Sequence, residues 1–246
     1  MKKILVIANS FGVDATRYLY GIARSEGKSV KVVTLHIGGC SLYRHYRNML
    51  SEERAYAYYI DGIDSGLRVS LKEALLSDEW DVVTFQEASS GMRAGASYSP
   101  FIEALSEYAR RLAPAAKQYM HVTWAYAEGC PRLAVTPHTS RAEMIAAKRV
   151  DYADAAEKIH ADGMIPSLDA MCTLYDRIGD SAYRDGFHAS LGIGRYMLGC
   201  LWFAVFFKKD ITENRYRDFD VAVSEEDAAL AASVAMEVAR SKGFLS

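Results

Sequence analysis

Proline is scarce in this chain, five in 246 residues, and no Pro/Gly-rich linker, charge block or low-complexity stretch interrupts it. That absence leaves no hinge between two bodies, so residues 1–246 are expected to form a single domain. Cysteine is scarce too. Cys40, Cys130, Cys172 and Cys200 are far apart, with no C-x-x-C pair. This excludes a disulfide framework and predicts reduced, packed side chains. The histidines His36, His45, His121, His138 and His160 show no H-x-H or H-E-x-x-H spacing, so no metal site is expected. Neither sign of charge dominates: 29 basic against 31 acidic residues give a net charge of −2, which excludes a broad basic face for nucleic acid. Long apolar runs are missing as well. Residues 196–207 are mostly apolar, but a membrane helix needs about 20 residues. The apolar run at residues 4–8 ends at Asn9-Ser10, short of the roughly 7–15 residues of an export signal. No membrane span and a cytoplasmic location are therefore expected. No G-x-G-x-x-G follows that first run, and no G-x-x-x-x-G-K-[ST] occurs, so no dinucleotide or other cofactor is expected.

What is present is an ordinary globular composition, 50% hydrophobic and 24% charged, in a chain long enough to bury a large core. Short apolar runs alternate with helical patterns. Strands are predicted at residues 3–8, 30–36, 81–86, 118–124 and 164–165. Helices are predicted at 14–25, from 42, at 101–112, 141–161, 168–177, 191–207 and 224–240. The 191–207 helix is apolar nearly all round and so buried. The last helix begins at Ser224, with Asp227 three residues on as a partner in capping. Residues 56–68 fit neither template and are expected to form a small hairpin or extended excursion. Near-continuous apolar strands alternating with helices predict a three-layer α/β/α domain around a parallel sheet of about five strands.

Ligands of such sheets bind beyond the carboxyl ends of the strands. Asn9-Ser10-Phe11-Gly12 follows the first strand, Gly38-Gly39-Cys40-Ser41 the second, and Gln86-Glu87-Ala88-Ser89 the third. Asp185-Gly186-Phe187-His188 precedes the buried helix. A hydroxyl, a glycine turn, an amide and an acid–histidine pair are the parts of a serine hydrolase. Serine is a weak nucleophile and needs a base, His188. The base needs a carboxylate on its other nitrogen, Asp185, to fix the tautomer and stabilise the imidazolium. The oxyanion needs donors aimed in advance: the N–H of Ser10, the N–H of Gly39 and the amide of Gln86. Taken singly, Ser10 reads as a helix cap, Gly38-Gly39 as a tight turn and His188 as a loop residue. Together and in order, they read as a site.

At these residues the chain resembles the SGNH/GDSL hydrolase superfamily. Ser10 matches the nucleophile of that family's first block, Gly39 the oxyanion glycine of the second, and Asp185-x-x-His188 the acid and base of the last. The first block reads Ala-Asn-Ser-Phe here, and Gln86 stands where the third block has asparagine. The resemblance implies a flavodoxin-like fold and an esterase working through an acyl-serine intermediate, with no cofactor or metal. It also implies small-molecule or carbohydrate esters as substrates, with short acyl groups on sugars the preferred guess. Trp124 and His45 are the substrate-binding candidates, the former because it closes the fourth strand on the same sheet edge. Glu87 is expected to be solvated and Cys40 to be packing. An acyltransferase with the same residues, or a silent binding module favoured by the altered third block, is the alternative. The oligomeric state is not readable.

Overall fold

The first strand, β1 (Lys2–Ala8), is buried from Ile4 onward on both faces, as a central strand must be. After it come two short helices, α1 (Ser10–Thr16) and α2 (Leu19–Ser25), and then β2 (Val30–His36), whose β-branched side chains suit a pleated, covered surface. Further along lie α3 (Leu42–Ser51), β3 (Tyr56–Ile60), β4 (Ile63–Val69), α4 (Leu71–Leu76) and β5 (Val82–Phe85). The chain continues through α5 (Phe101–Leu112), β6 (Lys117–His121), α6 (Arg141–Lys158), β7 (Gly163–Ile165) and α7 (Ser167–Ile178). It ends with α8 (Ile193–Phe207) and α9 (Glu225–Ser241). The structure, a computed structural model, describes residues 1–89 and 98–245.

The seven strands lie in the order β4-β3-β2-β1-β5-β6-β7. The five from β2 to β7 are parallel, with Ile4 of β1 level with Val32 of β2 on one side and Val82 of β5 on the other. This is the flavodoxin-like arrangement of the expected sheet. The extra two strands are residues 56–69: β3 runs antiparallel to β2, and β4 antiparallel to β3, round a turn at Asp61-Gly62. Periodicity could not resolve them because β4 is exposed along nearly its whole length and carries no buried stripe. Two other boundaries move. The helix expected over 14–25 is two helices, broken where Tyr18 turns inward and donates its hydroxyl to the Leu191 carbonyl at 2.6 Å. The fourth strand stops at His121, so Trp124 lies beyond it.

Serine caps four of the helices. The hydroxyls of Ser41, Ser70, Ser140 and Ser224 accept backbone N–H groups of the first turns of α3, α4, α6 and α9. Helix α8 packs against α1, α2, α7 and α9, and its Trp202 and Phe206 meet His121 and Tyr119 of β6. Its nearly uniform apolarity follows from contact on all sides. Buried alanines of α9 (Ala228, Ala231, Ala232, Ala235, Ala239) let the two axes approach closely. The opposite face of the sheet is covered by α3, α4, α5 and α6, with Arg110 of α5 donating to the Ile159 carbonyl at the end of α6 at 2.6 Å. No helix among the described residues is long and apolar enough to cross a membrane.

Candidate active site

β1 connects to β2 on one side and lies beside β5 on the other, so the chain changes direction at its carboxyl end. A crevice forms there by topology alone. The cap of α1 is Asn9, not Ser10: Asn9 Oδ1 accepts the Phe11 N–H at 3.0 Å. Ser10 is thereby released from capping, and its Oγ lies 2.8 Å from His188 Nε2. His188 Nδ1 lies 2.6 Å from Asp185 Oδ2. A carboxylate only accepts, so Nδ1 carries the proton, and Nε2 is left to accept the Ser10 hydroxyl. Asp185 Oδ1 also accepts the backbone N–H of His188 at 2.8 Å and of Phe187 at 3.2 Å. Burial alone would push this carboxyl up, but the bonds from His188 and the two backbone N–H groups hold it below the usual carboxylate range. The structure therefore brings Ser10, His188 and Asp185 into one hydrogen-bonded line.

Gly39 lines the same cleft with φ +60, a conformation costly for other residues, and a Cβ there would meet nothing within 4 Å. Neither its N–H nor that of Ser10 has an acceptor among the described residues.

Gln86 lies elsewhere. It is fully buried, its Nε2 donates to Asn9 Oδ1 at 2.6 Å, and its Oε1 accepts His121 Nδ1–H at 2.9 Å. The orientation is fixed, because Asn9 Oδ1 already accepts Phe11 N–H and so must face the NH2 end of Gln86. Burial lowers His121 to about 3, so the ring is neutral and its Nε2 accepts the Ser167 hydroxyl at 3.0 Å. Asn9, Gln86, His121 and Ser167 form a buried polar rod beneath the site. The Gln86 amide, expected to donate into the cleft, instead fixes Asn9.

Both substrate-binding candidates are also displaced from the cleft. Trp124 is fully buried, stacked under Phe11 with ring centroids 4.3 Å apart, and its Nε1 donates to the Phe187 carbonyl at 2.8 Å. His45 is fully buried in α3, stacked on Tyr56 with Nδ1 2.9 Å from the Tyr56 hydroxyl, and burial lowers it to about 3. The cleft, about 410 Å³, is lined instead by Phe11, Tyr126 and Phe187 on its aromatic side, with Ala88, Ser89 and Arg132 beside them. Glu87, expected in solvent, is almost completely buried. Its Oε1 accepts the N–H groups of Leu42 and Ala88, and burial pushes it up to about 7. Cys40 is buried as expected, and burial pushes its thiol up to about 12.

Ser89 was placed after the third strand but given no role, and Lys148 was not singled out at all. Lys148 in α6 is fully buried, and its Nζ donates to Ser89 Oγ at 3.1 Å and to Thr123 Oγ1 at 3.0 Å. Burial pulls this lysine down to about 7. The only advance signal was a lysine on a helix otherwise rich in alanine, which is too weak to read. Nor did the sequence mark the clamp behind the His188 loop. Asp14 of α1, almost wholly buried, pairs with Arg184 at 2.9 Å and Arg195 at 2.8 Å, and Arg184 also donates to the Ala189 carbonyl at 2.7 Å. No group of three or more His, Cys, Asp or Glu placed to hold a metal ion occurs among the described residues.

Among curated proteins none matches the chain. Solved structures do. A DUF4886 family protein from Bacteroides uniformis ATCC 8492 is 30% identical, with a TM-score of 0.87 over 100% of this chain and 97% of that one. A carbohydrate esterase family 3 structure from Talaromyces cellulolyticus superposes with a TM-score of 0.53 at 12% identity, covering 81% of this chain and 93% of that one. A member of the lipolytic protein G-D-S-L family from Veillonella parvula DSM 2008 gives 0.51 at 14% identity, covering 85% and 100%. The fold is thus SGNH/GDSL hydrolase-like. The model of the domain of unknown function DUF4886 matches residues 3–238, and the chain belongs to that family.

Proposed function

We propose that the protein is a serine esterase that cleaves carboxylic esters through an acyl-serine intermediate. One observation carries this reading: the line from Ser10 Oγ through His188 to Asp185, with spacings of 2.8 and 2.6 Å, at the mouth of the crevice. Ser10 Oγ attacks the ester carbonyl while His188 Nε2 takes its proton, and Asp185 stabilises the imidazolium. The N–H groups of Ser10 and Gly39 receive the oxyanion. The third donor is the Ser89 hydroxyl rather than Gln86. Lys148 Nζ donates to Ser89 Oγ, so the serine keeps its own hydrogen for an acceptor on the cleft side, which it lines together with its hydrogen-bond partner Tyr126. Collapse of the tetrahedral intermediate expels the alcohol, protonated by His188. Water then repeats the sequence on the acyl-enzyme.

Hydrolysis is favoured over transfer to an acceptor alcohol by openness. The side chains of His188 and Asp185 are 17% and 38% exposed, so water reaches the base directly. The silent binding module is disfavoured by that same bond from His188 to Ser10, which a mere scaffold has no need to keep. Short acyl groups on carbohydrates remain the preferred substrates, in keeping with the carbohydrate esterase among the fold's relatives.

The test is hydrolysis of p-nitrophenyl acetate by the wild type and by Ser10→Ala, with labelling by a fluorophosphonate. The expected result is a fall of at least about a thousand-fold in kcat and loss of the label in the variant. Equal rates in the two proteins would overturn the reading.

A further inference from the structure

The cleft carries one fixed positive charge that ester cleavage does not use. Arg132 lies on its lining, in a single 3-10 turn (Pro131–Val135) whose Leu133 is buried as an anchor. Its Cζ sits 4.3 Å from the centroid of the Phe187 ring. Phe187 cannot drift: its N–H donates to Asp185, its carbonyl accepts from Trp124, and its ring lies 4.0 Å from that of His188. The segment leading into the turn is also tied to the loop bearing the base, because Ala127 N–H donates to the Gly186 carbonyl at 2.7 Å. Guanidinium, phenyl and imidazole therefore follow one another in contact beside Ser10, the two rings tilted by 40°.

No carboxylate pairs with Arg132 among the described residues. Asp185 is occupied by His188, and Glu128 accepts the N–H of Arg141. Residues 90–97, SGMRAGAS, contain no Asp or Glu that could pair with it. An arginine held on an aromatic face keeps its edge donors free, and their planar fork matches the two oxygens of an oxyacid.

We infer that Arg132 recognises an oxyanion on the substrate, so that the enzyme's esters carry a carboxylate, or a phosphate or sulfate, near the scissile bond. The kinetic arm of the test rests on the esterase reading, and the binding arm stands apart from it. In the binding arm, the Ser10→Ala protein is titrated calorimetrically with 3-acetoxybenzoate, its neutral methyl ester and 3-acetoxyphenyl phosphate, and the titrations are repeated with Arg132→Gln added. The anions should bind about ten-fold tighter than the methyl ester, and the gap should close with Arg132→Gln and narrow at high salt. Tighter binding of the phosphate identifies a phosphoryl-type anion, and tighter binding of the benzoate a carboxylate. Equal affinities for acid and methyl ester, no binding of either, or a preference that survives Arg132→Gln would overturn the inference. In the kinetic arm, the ratio of kcat/KM for 3-acetoxybenzoate over phenyl acetate should fall about ten-fold in Arg132→Gln, chiefly through KM. A wild type inactive on every ester would sink the esterase reading alone, because the binding preference would still stand or fall by itself.

Discussion

Asn9 has no reactive atom, yet it determines what its neighbour can do. By capping α1 itself, it spares the Ser10 hydroxyl, and Gln86 holds it in that role from below. Ser10, Gly39, Asp185 and His188 were legible in the sequence because each follows a strand end or sits in a late loop, and the parallel fold gathers those places at one edge. Gln86, Trp124 and His45 were misplaced for a different reason. Position along the chain says which end of the sheet a residue occupies, but not whether its side chain points into the cleft or beneath it. Beneath it, an amide between two buried polar partners is worth more to the fold than to a ligand. Ser89→Ala should therefore lower kcat about a hundred-fold with little change in KM, as loss of one oxyanion donor does, in steady-state kinetics on p-nitrophenyl acetate. An unchanged kcat would return the third donor to another group.

At the scale of elements, the tight junction is between α1 and β1. Gly12 sits where an added Cβ would fall 2.3 Å from Ala8 Cβ and 3.1 Å from Gln86 Oε1. Neither neighbour can yield, since Ala8 is in the central strand and Gln86 in the polar rod. Gly12→Ala should cost about 1–3 kcal/mol in denaturant unfolding, by lifting α1 off the strand, and should also slow turnover. Strand and helix identities were readable where burial imposes a period, as in β1, β2 and the wholly apolar α8. Over residues 56–68 a small hairpin was one of two expectations and is what forms, but its pairing to the sheet was unreadable, since the outer strand faces water and is specified by its pairing partner and by the turn at Asp61-Gly62.

For the molecule as a whole, buried charge ties stability to pH. Lys148 is protonated in the unfolded chain up to its ordinary value near 10.5, but burial brings it to about 7 in the folded one. Between those values the unfolded state binds more protons, so this group makes stability rise with pH from about 7 toward 10. Glu87, raised to about 7 from 4.5, acts oppositely at lower pH: its folded form holds the extra proton, and stability falls as pH climbs from 4.5 to 7. In Lys148→Met the rise above pH 7 should be missing. The melting temperature of the variant relative to wild type should thus drop steadily between pH 7 and 9.5, measured by calorimetry at each pH. A constant gap would mean that Lys148 stays charged throughout.

Ser10 and His188 touch although 178 residues separate them, and the hydrogen bond between them closes over the central strand of the sheet. During synthesis the serine leaves the ribosome long before the histidine exists. A nascent chain therefore carries an ordinary alcohol and no relay. On the esterase reading proposed above, cleavage chemistry begins only once α8 and the loop ahead of it have docked. Reactivity of Ser10 toward a fluorophosphonate then becomes a clock for completed folding, one that no amino-terminal fragment can start.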